Sequence, residues 1–278
     1  MTAQPGAGRS GLAYDRTGSG TPLMLLHGTN SSREVWNDLL PDLSAQREVI
    51  SVDLPGHGQS PASSFTPPEW AREVTSLMDD LGLRSVPVVG HSSGGWTALE
   101  IAKLGRADAV LALAPAGLWR THSPVVTDAI LSVNWHLGQL VGERGNILLR
   151  TKTGRRLVLR QISGRPADVP ADVAIATATT VLHSEHFPEH FARTRRLRFQ
   201  GGSAIAPTTS VRVIWGAKDR IARRASRRPD QLPRHAHIET WSGCGHMLMW
   251  DAPQRVIDAA LELHTPCASH VPQDSRTP

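Results

Sequence analysis

Three short apolar runs punctuate the first third of the chain: Pro22–Leu26 (PLMLL), Val49–Val52 (VISV) and Val86–Val89 (VPVV). Each is continuous rather than alternating, which suits strands buried on both faces of a parallel sheet. Each ends in a glycine-bearing turn: HGTN, DLPGHGQS and GHSSGG. Between them the apolar positions recur at helical spacing, over Val35–Leu43 and over Trp70–Leu81, the latter behind Thr66, Pro67 and Pro68 as start signals. A helix over Gly95–Leu104 and a strand over Ala109–Ala114 continue the alternation. The rhythm predicts an α/β fold with a doubly wound, mostly parallel β-sheet.

The alternation stops near Gly117. From there the pattern is helical only: Val125–Val141, Ile147–Ile162, Val169–Leu182 and a shorter piece around Phe191. Strand patterns return at Val211–Trp215 and His237–Trp241, and a last helix is expected over Pro253–His264 with Asp251 as its N-cap. No internal repeat is evident. The predicted organisation is a sheet core in two pieces, 1–120 and 206–278, interrupted by a helical insertion, 121–205. At most one strand is expected before Pro22, and the polar, proline-rich stretch 265–278 is expected to be disordered.

Composition narrows the class. The 278 residues are 40% apolar before glycine is counted, as in an ordinary globular chain. No run reaches the roughly 18 apolar residues of a membrane span, and the first eleven residues lack the apolar core of a secretory signal. Two cysteines, Cys244 and Cys267, allow one bridge at most. A cytoplasmic protein with no membrane partner is expected. The formal charge of +5 is unevenly placed: Arg120–Gln200 holds 12 basic and 6 acidic residues, and the rest of the chain is nearly balanced. No zinc-finger spacing or aromatic-basic stripe accompanies the excess, so no nucleic-acid partner is expected and a solvated helical face is the simpler reading.

The motif with most chemistry is Gly90-His91-Ser92-Ser93-Gly94, set between a strand and a helix. This is the G-x-S-x-G arrangement in which a serine rides a tight turn that needs small residues two positions to either side. Only Ser92 has glycine at both positions, so Ser92 is the candidate nucleophile. Such a serine needs a base and the base an orienting carboxylate, supplied after later strands. Asp219 follows Val211–Trp215 in WGAKD, and His246 follows the last strand in SGCGHM. The backbone N–H groups of Thr29 and Ser93 are the expected oxyanion donors, with Gly28 permitting the turn.

HGTN (27–30), DLPGHGQS (53–60), GHSSGG (90–95), WGAKD (215–219) and GCGHMLMWDAP (243–253) stand in the order found in the α/β-hydrolase fold superfamily, which the sequence resembles over 12–120 and 207–264. The resemblance implies that 121–205 is a cap, or lid, over an active site. Two departures are visible: Thr29 stands where a large apolar residue is frequent, and Arg220 follows the acid where proline is frequent. The resemblance implies a serine hydrolase cleaving a small-to-medium ester, thioester or lactone through an acyl-enzyme, with no cofactor and a small-molecule substrate. The same triad in the family also serves C–C bond hydrolysis of vinylogous diketones, amide cleavage and cofactor-free peroxidation. A non-catalytic ligand-binding member is the remaining reading. Gly28, Asn30, Trp119, Trp135 and Trp250 are candidate substrate-binding residues.

Other motifs take simpler readings. His27, His57 and His91 are expected to make structural hydrogen bonds near the turns, and Asp53 to satisfy backbone N–H groups of its own loop. Cys244 reads as a small turn-filling residue. The His183–His190 run has a metal-like composition but no zinc spacing, so no metal is expected. Arg193, Arg195, Arg196 and Arg198 would favour an anionic substrate only if they turned inward. Monomer and homodimer are both left open.

Overall fold

The structure, a computed structural model, describes residues 6–7, 10–224 and 227–263. Its centre is an eight-stranded sheet: β1 (Gly6–Ala7), β2 (Ala13–Gly18), β3 (Pro22–Leu26), β4 (Glu48–Val52), β5 (Val86–His91), β6 (Ala107–Leu113), β7 (Ser210–Gly216) and β8 (His237–Trp241). The strands lie in the order β1-β2-β4-β3-β5-β6-β7-β8. Strands β1 and β2 are antiparallel, as are β2 and β4; every later pairing is parallel. The sheet is therefore doubly wound and mostly parallel, as its continuous apolar strands demand. Two strands, not one, precede Pro22: Gly6–Ala7 pairs with the start of Ala13–Gly18, which in turn pairs with β4 from Tyr14 opposite Val52 to Gly18 opposite Glu48.

Helices α1 (Leu40–Ser44), α2 (Pro67–Asp80), α3 (Ser93–Lys103) and α10 (Pro253–Leu261) belong to the core. Helix α2 begins with a capping box in which the Thr66 side chain and the Glu69 carboxylate each satisfy the other's backbone N–H. Trp70, Ala71, Val74, Leu77 and Met78 form its buried stripe. At about 1.5–3 kcal/mol per large side chain buried, this stripe outweighs the few tenths of a kcal/mol each that Trp, Val and Thr cost in helix propensity. The helical spacing over Val35–Leu43 resolves into a 3-10 turn, Arg33–Trp36, followed by α1. Pro41 is the reason: its ring and missing N–H fit the first turn of a helix but not the middle of one.

Between β6 and β7 lies the helical cap: α4 (Val125–Val141), α5 (Asn146–Leu149), α6 (Lys152–Val158), α7 (Ala171–Leu182) and α8 (Phe187–Thr194). The segment 147–162 is not one helix. The Thr151 side chain accepts from Gly154 N–H and starts α6 afresh, and a Cβ on Gly154 would lie 1.8 Å from the Leu148 carbonyl oxygen. The cap has a small apolar centre of its own in Leu149, Leu159, Val169 and Ala174.

The expected N-cap at Asp251 is replaced by another arrangement. Ala252 occupies that place, and Asp251 ends a short helix, α9 (Leu248–Asp251), with its buried carboxylate turned the other way. The expectation of disorder over 265–278, and Cys267 with it, lies outside the described residues.

Candidate active site

Strand β5 delivers the Gly90–Gly94 turn to the carboxyl edge of the sheet. Ser92 has φ 53° and ψ −116°, a conformation that costs an L-residue about 1–3 kcal/mol. Neighbouring chain holds it there. Ser92 N–H donates to the Leu113 carbonyl of β6 (2.9 Å), and the Ser92 carbonyl accepts from Trp96 (3.1 Å) and Ala116 (2.9 Å). The flanking glycines follow from the same crowding. A Cβ at Gly90 would lie 2.2 Å from the Gly94 carbonyl oxygen, and one at Gly94 would lie 2.3 Å from that of His27.

The other two residues come from the far side of the sheet. Asp219, past the end of β7, accepts from the N–H groups of Ile221 (2.8 Å) and Ala222 (2.9 Å) on Oδ1. Its Oδ2 lies 3.0 Å from His246 Nδ1, and His246 Nε2 lies 3.1 Å from Ser92 Oγ. A carboxylate can only accept, so Nδ1 carries the proton and the Nε2 lone pair faces the serine hydroxyl. Ser92 and His246 line a cavity of about 190 Å³ between core and cap, and Asp219 stands behind His246. Gly28, Thr29, Asn30 and Ser93 line it from the core. Leu131, Asn134, Val181 and Phe191 line it from the cap.

Of the candidate tryptophans, Trp119 lines this cavity and the other two do not. Trp135 points between cap helices, packs against Phe187 and donates from Nε1 to the Ser184 carbonyl (3.2 Å). Trp250 packs on the small apolar centre of the cap, outside the cavity walls. Gly28 is fixed by crowding, since a Cβ there would stand 3.0 Å from both His91 Nδ1 and Ser92 Cβ.

The motif histidines are buried and hydrogen-bonded to backbone. His27 Nδ1 donates to the Gly28 carbonyl and its Nε2 accepts from Leu54 N–H; His57 Nδ1 donates to the Pro55 carbonyl; His91 Nε2 donates to the His246 carbonyl. Burial pushes all three below the ordinary histidine range. Asp53 accepts from Arg33 N–H (2.7 Å) and Gln59 N–H (2.9 Å) and pairs with the Arg33 guanidinium.

Three contributors were not singled out for the site from the sequence. The first is His190 of α8. Its Nδ1 donates to the Phe65 carbonyl (2.6 Å), its ring stacks on Trp70 at 4.6 Å, and burial lowers its pKa to about 4. The ring is therefore neutral at pH 7, and Nε2 is free to accept. Thr29 Oγ1 lies 3.0 Å from that Nε2, and Ser93 Oγ lies 2.9 Å from Thr29 Oγ1. With only an acceptor at one end, Thr29 O–H donates to His190 and Ser93 O–H donates to Thr29. Both hydroxyl protons thus point along the chain toward the cap rather than into the cavity.

The second is Asp251, whose carboxylate sits under the His246 loop. It accepts from Gly245 N–H (2.6 Å) on one side and from Ser163 Oγ (2.7 Å), Gly164 N–H (2.8 Å) and Arg165 N–H (3.2 Å) of the cap on the other. Met247 N–H adds a bond to the cap carbonyl of Ile162 (2.8 Å). The third is Arg227, which lines the cavity, donates to the Ala222 (2.7 Å) and Gly216 (2.9 Å) carbonyls and lies over Trp215. Burial lowers its pKa, against the opposing pull of the Asp219 charge. Of the four cap arginines raised from the sequence, only Arg195 reaches the cavity wall, and it pairs with Asp128 at 3.3 Å. Arg193 pairs with Glu189, and Arg198 donates to the Arg120 carbonyl.

Residues 23–259 match the model of the alpha/beta hydrolase family. The chain belongs to that family. Epoxide hydrolase EphH of Mycobacterium tuberculosis is 29% identical over 211 residues, 72% of this chain and 96% of the relative. Among solved structures, the meta-cleavage product hydrolase CumD of Pseudomonas fluorescens superposes with a TM-score of 0.71 at 19% identity, over 93% of this chain and 96% of that one. Est816, described as an N-acyl homoserine lactone degrading enzyme, gives 0.67 at 21% identity, over 90% and 96%. These structural likenesses are of fold. Among the described residues no helix is long and apolar enough to cross a membrane.

Proposed function

We propose that the protein is a serine hydrolase that cleaves small-to-medium carboxylic esters, thioesters or lactones through an acyl-enzyme on Ser92. The observation that carries this reading is the unbroken line from Ser92 Oγ on the cavity wall through His246 to Asp219 behind it. His246 Nε2 takes the hydroxyl proton as Ser92 Oγ bonds to the substrate carbonyl carbon. Asp219 holds the ring in the required tautomer and offsets the charge the ring gains. Negative charge on the carbonyl oxygen is met by the N–H groups of Thr29 and Ser93. Collapse of this intermediate expels the alcohol, thiol or lactone oxygen, which receives the proton from His246. Water, deprotonated by the same histidine, then releases the acid and restores Ser92.

The identity of residue 92 favours carbonyl substrates over epoxides, although EphH is named an epoxide hydrolase. A carboxylate nucleophile opening an epoxide forms an ester, which water can cleave. Serine doing the same would form an ether, which this machinery cannot hydrolyse. At about 190 Å³ the cavity is somewhat larger than the roughly 150 Å³ hole that accommodates benzene in an engineered apolar core, so compact acyl groups fit it best. Ala114, Pro115, Leu118, Trp119 and Leu131 make much of its wall apolar.

A fluorophosphonate probe tests the assignment, because phosphonylation with loss of fluoride needs an activated serine. Intact mass should show one adduct on the wild-type protein and none on Ser92→Ala, together with turnover of a short acyl ester by the wild type alone. Equal labelling of both proteins, or no labelling of a folded wild type, would refute it.

A further inference from the structure

Helix α4 presents its apolar side to solvent. Its inner face carries Thr127 and Asp128, both buried, Leu131 and Asn134 on the cavity, and Gly138 against Val181 and Leu182 of α7. Half a turn away run Val126, Val133, Leu137 and Leu140, spaced seven, four and three residues apart and all exposed, Leu140 to 82%. Ala129 and Val141 are exposed on the same side, so the outward stripe runs the length of the helix without a polar residue. The only formally charged side chain in α4 is the buried Asp128. Beyond the Gly142 break, the contiguous turns expose Ile147 (70%), Leu148, Leu157 and Val158 as well.

Exposed cations are interleaved with the apolar residues of the turns that follow α4. Arg144, Arg150, Lys152, Arg156 and Arg160 are exposed, and none of the five forms an ion pair with a described residue. Glu143 is the one exposed acidic residue between Val125 and Arg160. At the other end of the helix, Ser123 N–H bonds to the Arg195 carbonyl, bringing exposed Arg196 beside the first turn, while Arg195 itself pairs with Asp128 on the inner face.

We propose that this outer face of the cap is a docking site for an anionic lipid surface. Charge decides the occupant. A second copy of the chain would bring the unpaired cations of 144–160 against its neighbour's or against Arg196 with no acidic partner there, whereas an anionic bilayer takes the leucines and valines into its interface and gives the arginines phosphate partners. The chain lies on such a surface and does not span it, which departs from the expectation of no membrane partner; among the described residues no helix is long and apolar enough to cross a membrane. Helix α4 then separates the lipid from the cavity by about one helix diameter, roughly 10–12 Å.

Vesicle flotation of the full chain tests this, using phosphatidylcholine alone and phosphatidylcholine with roughly one-third phosphatidylglycerol. The protein should float with the anionic vesicles, stay behind with the neutral ones, and be released as salt rises toward about 1 M. Leu137→Gln with Leu140→Gln should lower partitioning by about tenfold or more. Arg150→Gln with Arg156→Gln should weaken it while leaving the stripe whole. Unchanged circular dichroism and denaturation midpoints would establish that these variants are folded. A wild type that floats with neither vesicle, or stripe variants that bind as well as wild type, would overturn the proposal. So would a wild-type dimer in analytical ultracentrifugation that the Leu137→Gln, Leu140→Gln variant abolishes, which would assign the stripe to a second copy.

Discussion

Acidification should loosen the seam between cap and core through His190. In the folded protein its pKa is about 4, because the ring is buried against Trp70 and wedged between the Phe65 carbonyl and Thr29. In the unfolded chain it returns to about 6.5. The folded state therefore binds fewer protons than the unfolded one between these values. His190's contribution to stability is whole above pH 6.5, falls as pH drops toward 4, and changes no further below that. Two and a half units at 1.36 kcal/mol each amount to a loss on the order of 3 kcal/mol. His190→Gln removes the titration while keeping a side chain able to donate to Phe65 and accept from Thr29. Urea unfolding followed by tryptophan fluorescence at pH 7, 6, 5 and 4 gives the measurement. Wild type should lose on the order of 3 kcal/mol more than His190→Gln over that range, with the buried His27, His57 and His91 cancelling because both proteins retain them. Parallel stability curves for the two proteins would refute the reasoning.

Asp251→Asn should lower kcat more than it raises KM, since one amide oxygen cannot replace a carboxylate that accepts from Gly245, Gly164, Arg165 and Ser163; steady-state kinetics on a short ester read the split, and an unchanged kcat would separate the carboxylate from His246 placement. Gly90→Ala should fail to give folded protein by circular dichroism, because its Cβ would stand 2.2 Å from the Gly94 carbonyl oxygen in a turn with no slack. Leu131→Trp should fill part of the cavity and shift ester preference toward shorter acyl chains, read as the ratio of kcat/KM for acetyl and hexanoyl esters.

Much of the fold was legible because its signals are local. Buried parallel strands write themselves as continuous apolar runs, and a turn too tight for a Cβ writes itself as glycine. Helix α4 was readable end to end from its helical spacing, but its environment was not. Apolar residues nearly all round leave the buried side undetermined, and only the packing of α7 on one side shows that the other faces solvent. Helical spacing also ran through Pro41 and Gly154, where chain chemistry breaks the helix, and the antiparallel strand Ala13–Gly18 owes its place to a partner some thirty residues later.

The sequence by itself determined the succession of strands and turns from Pro22 onward, marked Ser92, Asp219 and His246 as candidates, and placed the glycines that let them approach. Those depend on conformations that a few adjacent residues dictate. Tertiary structure alone decided what each long-range partner is. Asp251 looked like an N-cap because aspartate before Ala-Pro suits one, but four donors from two separate loops converge on it and hold it elsewhere. Trp119, Trp135 and Trp250 are alike in sequence, and only the fall of the cap onto the core places one on the cavity wall and two in packing. His190 gains its neutral state and its hold on Thr29 from burial against a helix more than a hundred residues earlier, and burial is a property of the assembled fold.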